Sequence, residues 1–275
     1  MTSQLMIHHL ASGAETVVLE TDMLIEAPNW TPDGGALIVN GNGLLFRVPL
    51  DRPALDQIDT GFATRLNNDH GISPDGSMLV ISNHTVIGQS CIYTLPTTGG
   101  EPARVTANTP SWWHGWSPDG STLAYTAVRS GEFGIWTIPV EGGDETCIAG
   151  GGGHHDGSDY TPDGKWVWFN SDQDGSMQLW RVRPDGKGRQ KMTDEPTVNW
   201  FPHPSPDGST VLYLAYPRGT EGHPRDLDVV LRVIPPEGGE SRPVAALFGG
   251  QGTINVPCWS PDGRRFAYVR YGKPV

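Results

Sequence analysis

Five of the nine histidines in this 275-residue chain stand in six short windows, each two to seven residues ahead of a Ser/Thr-Pro-Asp-Gly tetrapeptide. They are His70, His114, His154, His155 and His203, where an even spread would place about one. The same windows hold Glu26, Asn29, Asn67, Asn68, Asp69, Asp156, Asp159, Asn199 and Asn255. Imidazole, carboxylate and amide groups gathered at one axis can do two kinds of chemistry. They can bind a divalent ion, since neutral histidine nitrogen suits zinc, manganese or iron. They can also move protons, because histidine titrates near neutrality and a neighbouring Asp69 or Asp156 would raise its proton affinity. The plain alternative is that each histidine only hydrogen-bonds its own loop. His154 adjoins the Gly150-Gly-Gly-Gly run and is expected outside the ring, while His8 and His9 lie on an edge strand with no expected role.

Trp112, Trp113 and Trp200 stand beside these polar groups. Aromatic faces next to hydrogen-bonding side chains suit a sugar ring, although a wedge between structural units is an equal reading. Further along, Phe248-Gly-Gly-Gln-Gly-Thr-Ile-Asn lacks the lysine and following helix of a phosphate loop. Its glycines instead let backbone come close and present Gln251 and Asn255 to a ligand. No Gly-x-Ser-x-Gly elbow supports serine hydrolase chemistry.

The tetrapeptides also set the architecture. They begin at Thr31, Ser73, Ser117, Thr161, Ser205 and Ser260, with successive spacings of 42, 44, 44, 44 and 55 residues. Such a period fits one four-stranded β-propeller blade, so six copies predict an all-β, six-bladed propeller spanning residues 1–275 as a single domain. Pro presets φ at the second turn position and Gly relieves the fourth, so each copy joins two strands. A large apolar residue precedes five of the six: Trp30, Ile72, Trp116, Tyr160 and Trp259 are expected between blades. The last copy is followed by only one strand, Arg264-Arg-Phe-Ala-Tyr-Val-Arg, which leaves the sixth blade two short. Two strands near the start, within residues 3–20, should complete it against residues 256–271 and remove an open edge.

In that geometry the first strand of each blade lines the channel, and the histidine windows ring one of its mouths. Glu26, His70, His114, Asp156, His203 and Asn255 should therefore approach a common axis. The 11 extra residues of the fifth repeat fall in Tyr216-Pro-Arg-Gly-Thr-Glu-Gly-His-Pro-Arg-Asp-Leu-Asp. That loop reaches the same face, where Arg218, His223 and Arg225 form a lid or a tolerated surface insertion.

Composition narrows the partners. A formal charge of −12 without a basic cluster argues against nucleic acid or an anionic lipid surface. No apolar run has the length of a membrane span, and the first residues lack a signal core. A cytoplasmic location is expected, or a periplasmic one if an export signal was removed. Cys91, Cys147 and Cys258 fit no zinc or disulfide spacing and read as buried thiols.

Trp116-Ser-Pro-Asp-Gly-Ser-Thr-Leu-Ala-Tyr and Phe169-Asn-Ser-Asp-Gln-Asp-Gly-Ser-Met-Gln-Leu-Trp resemble the repeat of the TolB family over nearly the whole chain. Asn67-Asn-Asp-His-Gly, Trp113-His-Gly-Trp and Asn199-Trp-Phe-Pro-His are similar to a narrower bacterial subgroup. The resemblance implies two functions. One is a carbohydrate-binding propeller with lyase or hydrolase activity, since the similar oligogalacturonate lyases hold manganese through histidines and a glutamine. In kind, His70, His114, His203 and Gln251 would be the metal ligands, and His155 or Asp156 the base. Glu26, Asn68, Trp113, His114, Trp200, His223, Gln251 and Asn255 would contact the ligand. The other is a non-catalytic scaffold whose mouth takes a partner-protein peptide.

Overall fold

The structure is a computed structural model that describes residues 2–84 and 89–273. Its described residues form strands and turns without a helix, so no helix long and apolar enough to cross a membrane occurs among them. The chain opens with β1 (Ser3–His9) and β2 (Glu15–Thr21). Blade one follows as β3 (Glu26–Trp30), β4 (Ala36–Gly41), β5 (Leu44–Pro49) and β6 (Asp56–Ile58). Blade two is β7 (Leu66–Ile72), β8 (Met78–His84), β9 (Ser90–Pro96) and β10 (Ala103–Arg104). Blade three is β11 (Ser111–Trp116), β12 (Thr122–Arg129), β13 (Glu132–Pro139) and β14 (Thr146–Gly150). Blade four is β15 (His155–Tyr160), β16 (Val167–Ser171), β17 (Gln178–Val182) and β18 (Gln190–Lys191). Blade five is β19 (Val198–Pro204), β20 (Val211–Tyr216), β21 (Arg225–Ile234) and β22 (Arg242–Gly250), and β23 (Arg265–Tyr271) ends the chain. Each of these five blades is an antiparallel meander in sequence order.

The sixth blade joins both ends of the chain, as the repeat count requires. Strand β1 pairs along its whole length with β23, from Ser3 opposite Tyr271 to His9 opposite Arg265, and β2 covers its outer edge. The innermost strand of this blade is shortened to a bridge between Trp259 and Phe266. Pro257 has no N–H to give to a ladder, and its carbonyl is taken by Asn29 Nδ2 at 2.6 Å.

Apolar side chains fill six clusters, one at each interface between neighbouring blades. Trp30, Trp116, Tyr160 and Trp259, the residues ahead of the turns, are buried in them. Full burial of one large apolar side chain contributes about 1.5–3 kcal/mol, so the interfaces rather than single blades carry the stability. The turns are locked by their own side chains. In blade five, Ser205 Oγ donates to Asp207 Oδ1 at 2.6 Å and accepts from Thr210 N at 3.1 Å, while Ser209 N donates to the same carboxylate at 3.0 Å. The thiols of Cys91 and Cys258 are buried as expected, but Cys147 is exposed at the end of blade three; all three are free.

The first strands share a feature that positions the mouth. Strands β3, β7, β11, β15 and β19 each carry a bulge, at Glu26/Asn29, Leu66/His70, Trp113/Gly115, Asp156/Asp159 and Trp200/His203. A bulge adds unpaired residues and re-aims the side chains around it. Ala27, Gly157 and Phe201, each the first residue of its bulge, have φ of 54°, 64° and 55°. For Ala27 and Phe201 this left-handed backbone is strained and persists only because the surrounding structure holds it.

Candidate functional site

At the channel mouth the bulged strands enclose a cavity of about 370 Å³. Its wall carries Asn67, Asn68, Asp69, His84, Trp112, His114, Thr126, Phe133, His154, Asp156, Phe201, His223, Gln251 and Asn255. Four blades, the insertion loop and the glycine-rich segment thus contribute.

Asp156 is the centre of the polar network. Its Oδ1 accepts from Thr126 Oγ1 at 2.7 Å and Gly157 N at 2.8 Å, and lies 2.8 Å from His114 Nε2. Its Oδ2 faces His154 Nε2 at 3.5 Å and His223 Nε2 at 3.9 Å. Burial opposes the charge on Asp156, but His114 and His154 outweigh it and hold the carboxyl well below its usual range. Burial likewise opposes the charge on His114, yet Asp156 and Asp69 raise it to about 9. His154 is also raised against burial by Asp156, whereas burial lowers His223. Asp69 behaves differently. Burial, reinforced by Asp156 and Glu26, pushes its carboxyl up to about 7 despite the nearby His114.

Gln251 Oε1 accepts from Asn255 Nδ2 at 3.1 Å and from His223 Nδ1, which fastens the insertion loop to the glycine-rich segment. Gly252 N in turn donates to Asn255 Oδ1 at 2.7 Å. Apolar faces stand opposite. Trp112 stacks on Phe133 with ring centroids 6.3 Å apart, and Phe133 stacks on His154 at 4.1 Å.

Of the residues expected at the mouth, Asn68, His114, Asp156, His223, Gln251 and Asn255 line the cavity. The others are placed elsewhere. His70 follows a bulge in which Asn67, Asn68 and Asp69 all oppose Ser82, so its ring enters the blade interface; there it is fully buried, held down to about 4 by that burial, and contacts Ile38 O at 3.4 Å. His203 likewise lies past its bulge, with Nε2 at 2.6 Å from Ile254 O and Nδ1 at 3.1 Å from Asp159. His155 points to the opposite face of β15 from His154 and Asp156, against Phe169, as alternation along a strand dictates. Trp113 is a wedge: its ring occupies the space beside Gly71 of the preceding blade. Trp200 is buried behind the cavity, edge-on to His223 with centroids 4.3 Å apart. Glu26 is held beneath the wall by Asn40 Nδ2 at 3.2 Å, and burial raises its carboxyl. Arg218 is exposed, and Arg225 pairs with Asp226 at 3.2 Å.

This placement bears on a metal. His70 is buried with Nε2 at the Ile38 carbonyl, and His203 spends both nitrogens on the Ile254 carbonyl and Asp159, so the set His70, His114, His203 and Gln251 does not converge. Among the described residues no group of three or more His, Cys, Asp or Glu is arranged to hold an ion. The donor set does not fit a resident metal.

His154, expected outside the ring, lies on the cavity wall with Asp69 and Trp112, and Phe133 is the member that the windows do not reveal. Alternation supplies the signal for two of them, since residues 154 and 156, like 112 and 114, share one face of a strand.

A six-bladed propeller with a polar mouth is thus the class of molecule. The profile of the TolB β-propeller domain matches residues 110–228. The uncharacterised Agrobacterium fabrum protein Atu1656 is 49% identical over 98% of this chain and 93% of its own length. A solved structure of a TolB-like protein from Agrobacterium tumefaciens superposes with a TM-score of 0.98, at 49% identity, over 100% of this chain and 99% of that one. An oligogalacturonate lyase solved with manganese shares the fold alone, with a TM-score of 0.59 and 18% identity over 90% of this chain and 74% of its own. The chain belongs to the TolB-like β-propeller family.

Proposed function

We propose that the mouth binds a small, hydroxyl-bearing ligand of carbohydrate type and that Asp69 is its proton-transfer group. The observation that carries this is the pairing of two buried carboxylates with opposite behaviour in one cavity. Asp156, held by His114 and His154, stays ionised, while Asp69 sits near neutrality, where a group can both take and give a proton. Amides from Asn67, Asn68 and Asn255 offer donors and acceptors for hydroxyls, and Trp112 with Phe133 offers an apolar face for a sugar ring. The lyase that shares the fold supports the substrate class, although its manganese has no matching donor set here.

A neighbouring cleft, also of about 370 Å³, shares His154 and continues past Asp172, Met177, Val198, Trp200 and Gly219–Gly222. It favours a ligand longer than one residue, an oligosaccharide or, as the second reading, a peptide segment of a partner protein. Titration calorimetry with mono- and oligosaccharides tests the proposal. Asp156→Asn and Trp112→Ala should each weaken sugar binding by about 1–3 kcal/mol. Absence of sugar binding at millimolar concentration, together with binding of a partner peptide, would replace the sugar by the peptide.

A further inference from the structure

Asp69 is 5% exposed and lies on the cavity wall. Asn67 Nδ2 donates to its Oδ2 at 2.7 Å, and Oδ1 accepts no hydrogen bond among the described residues. Nor does any described Lys, Arg or His come within ion-pair distance of this carboxylate. His114, the cation that acts on it across the cavity, gives Nε2 to Asp156 at 2.8 Å and turns Nδ1 to Asn255 O at 3.4 Å. A buried carboxylate without a partner is costly, and proteins pair such charges or hold them protonated. The missing partner can be supplied by whatever fills the cavity.

Resting on the reading of the mouth as a ligand site, we infer that the ligand carries a primary ammonium group, which docks on Asp69 Oδ1 in the cavity that Trp112 and Phe133 also line. One observation favours a cation over the uronate carboxylate that an acidic sugar would bring. Asp156 stands on the same wall as Asp69, and the charge of His114 is already spent on it. Trp112 and Phe133 line the same cavity and add apolar surface for the C–H groups that adjoin an ammonium. An amino sugar and a peptide amine share this chemistry.

Titration calorimetry on the full chain separates these sources and tests the inference. The probes are glucosamine, N-acetylglucosamine and glucose, with oligomers of the first two, and a lysine tripeptide with its fully acetylated form. Each free amine should bind at least tenfold more tightly than its acetylated counterpart, and Asp69→Asn should abolish that preference while still unfolding cooperatively. Stronger binding by the glucosamine oligomers marks a saccharide source, and stronger binding by the tripeptide marks a protein one. Neutral sugars that bind as well as amines, with loss in Asp156→Asn, would overturn the ammonium inference and leave the ligand site standing. Binding by no probe would overturn both. A stoichiometric divalent ion that is lost in Asp69→Asn and not displaced by amines would put a metal in place of the ammonium and overturn the inference.

Discussion

Three buried residues of the mouth should write themselves into the pH dependence of folding. Asp69 titrates near 3.8 when unfolded and at about 7 when folded. A raised pKa means stability that is complete below the unfolded value and lost as pH climbs through the folded one. His114 acts in the same direction at higher pH, from 6.5 unfolded to about 9 folded. Asp156, lowered, acts oppositely and loses its contribution only in acid. Thermal unfolding followed by circular dichroism should therefore fall steadily from pH 5 to pH 9. Asp69→Asn should flatten the part of that fall between pH 4 and 8, leaving the variant more stable than the parent at pH 8. A second contrast separates the histidines. His203→Ala leaves Asp159 and the Ile254 carbonyl without their partner, so it should cost about 2–3 kcal/mol in urea denaturation without altering ligand affinity at the mouth.

At the scale of single elements, the bulged first strand decides which side chains face the channel. Three residues of β7 oppose one of β8, whereas His114 alone is the extra residue in β11. The same distance ahead of the turn therefore delivers His114 to the cavity and His70 to the interface. Gly71, next to His70, permits that arrangement by leaving room for Trp113; a Cβ there would stand 2.0 Å from the indole ring. Gly71→Ala should cost about 3 kcal/mol, measured by urea denaturation, through displacement of the wedge.

For the whole molecule, closure is the controlling event. Strand β1 supplies Leu5 and Ile7 to the interface with blade one and Met6 to the interface with blade five. Without it both clusters open and β23 becomes a bare edge. A chain lacking residues 2–21 should lose its single cooperative thermal transition and elute as aggregate on size exclusion, whereas loss of one ordinary surface strand would leave a folded monomer.

The period of the tetrapeptides determined the blade count and the closure of the sixth blade, because turn chemistry and strand alternation are local properties that a linear pattern records. The tetrapeptide windows likewise marked the polar mouth and brought His114, Asp156, Asn68 and Asn255 into view. Which members of each window reach the cavity was decided only in three dimensions. The bulges re-aim the side chains within and beyond them, so Asp69 entered while His70 and His203 turned away. Partnering was decided there too: Asp156 owes its charge to His114 and His154, and Asp69 its near-neutral carboxyl to burial, terms that depend on distances across blades rather than on spacing along the chain.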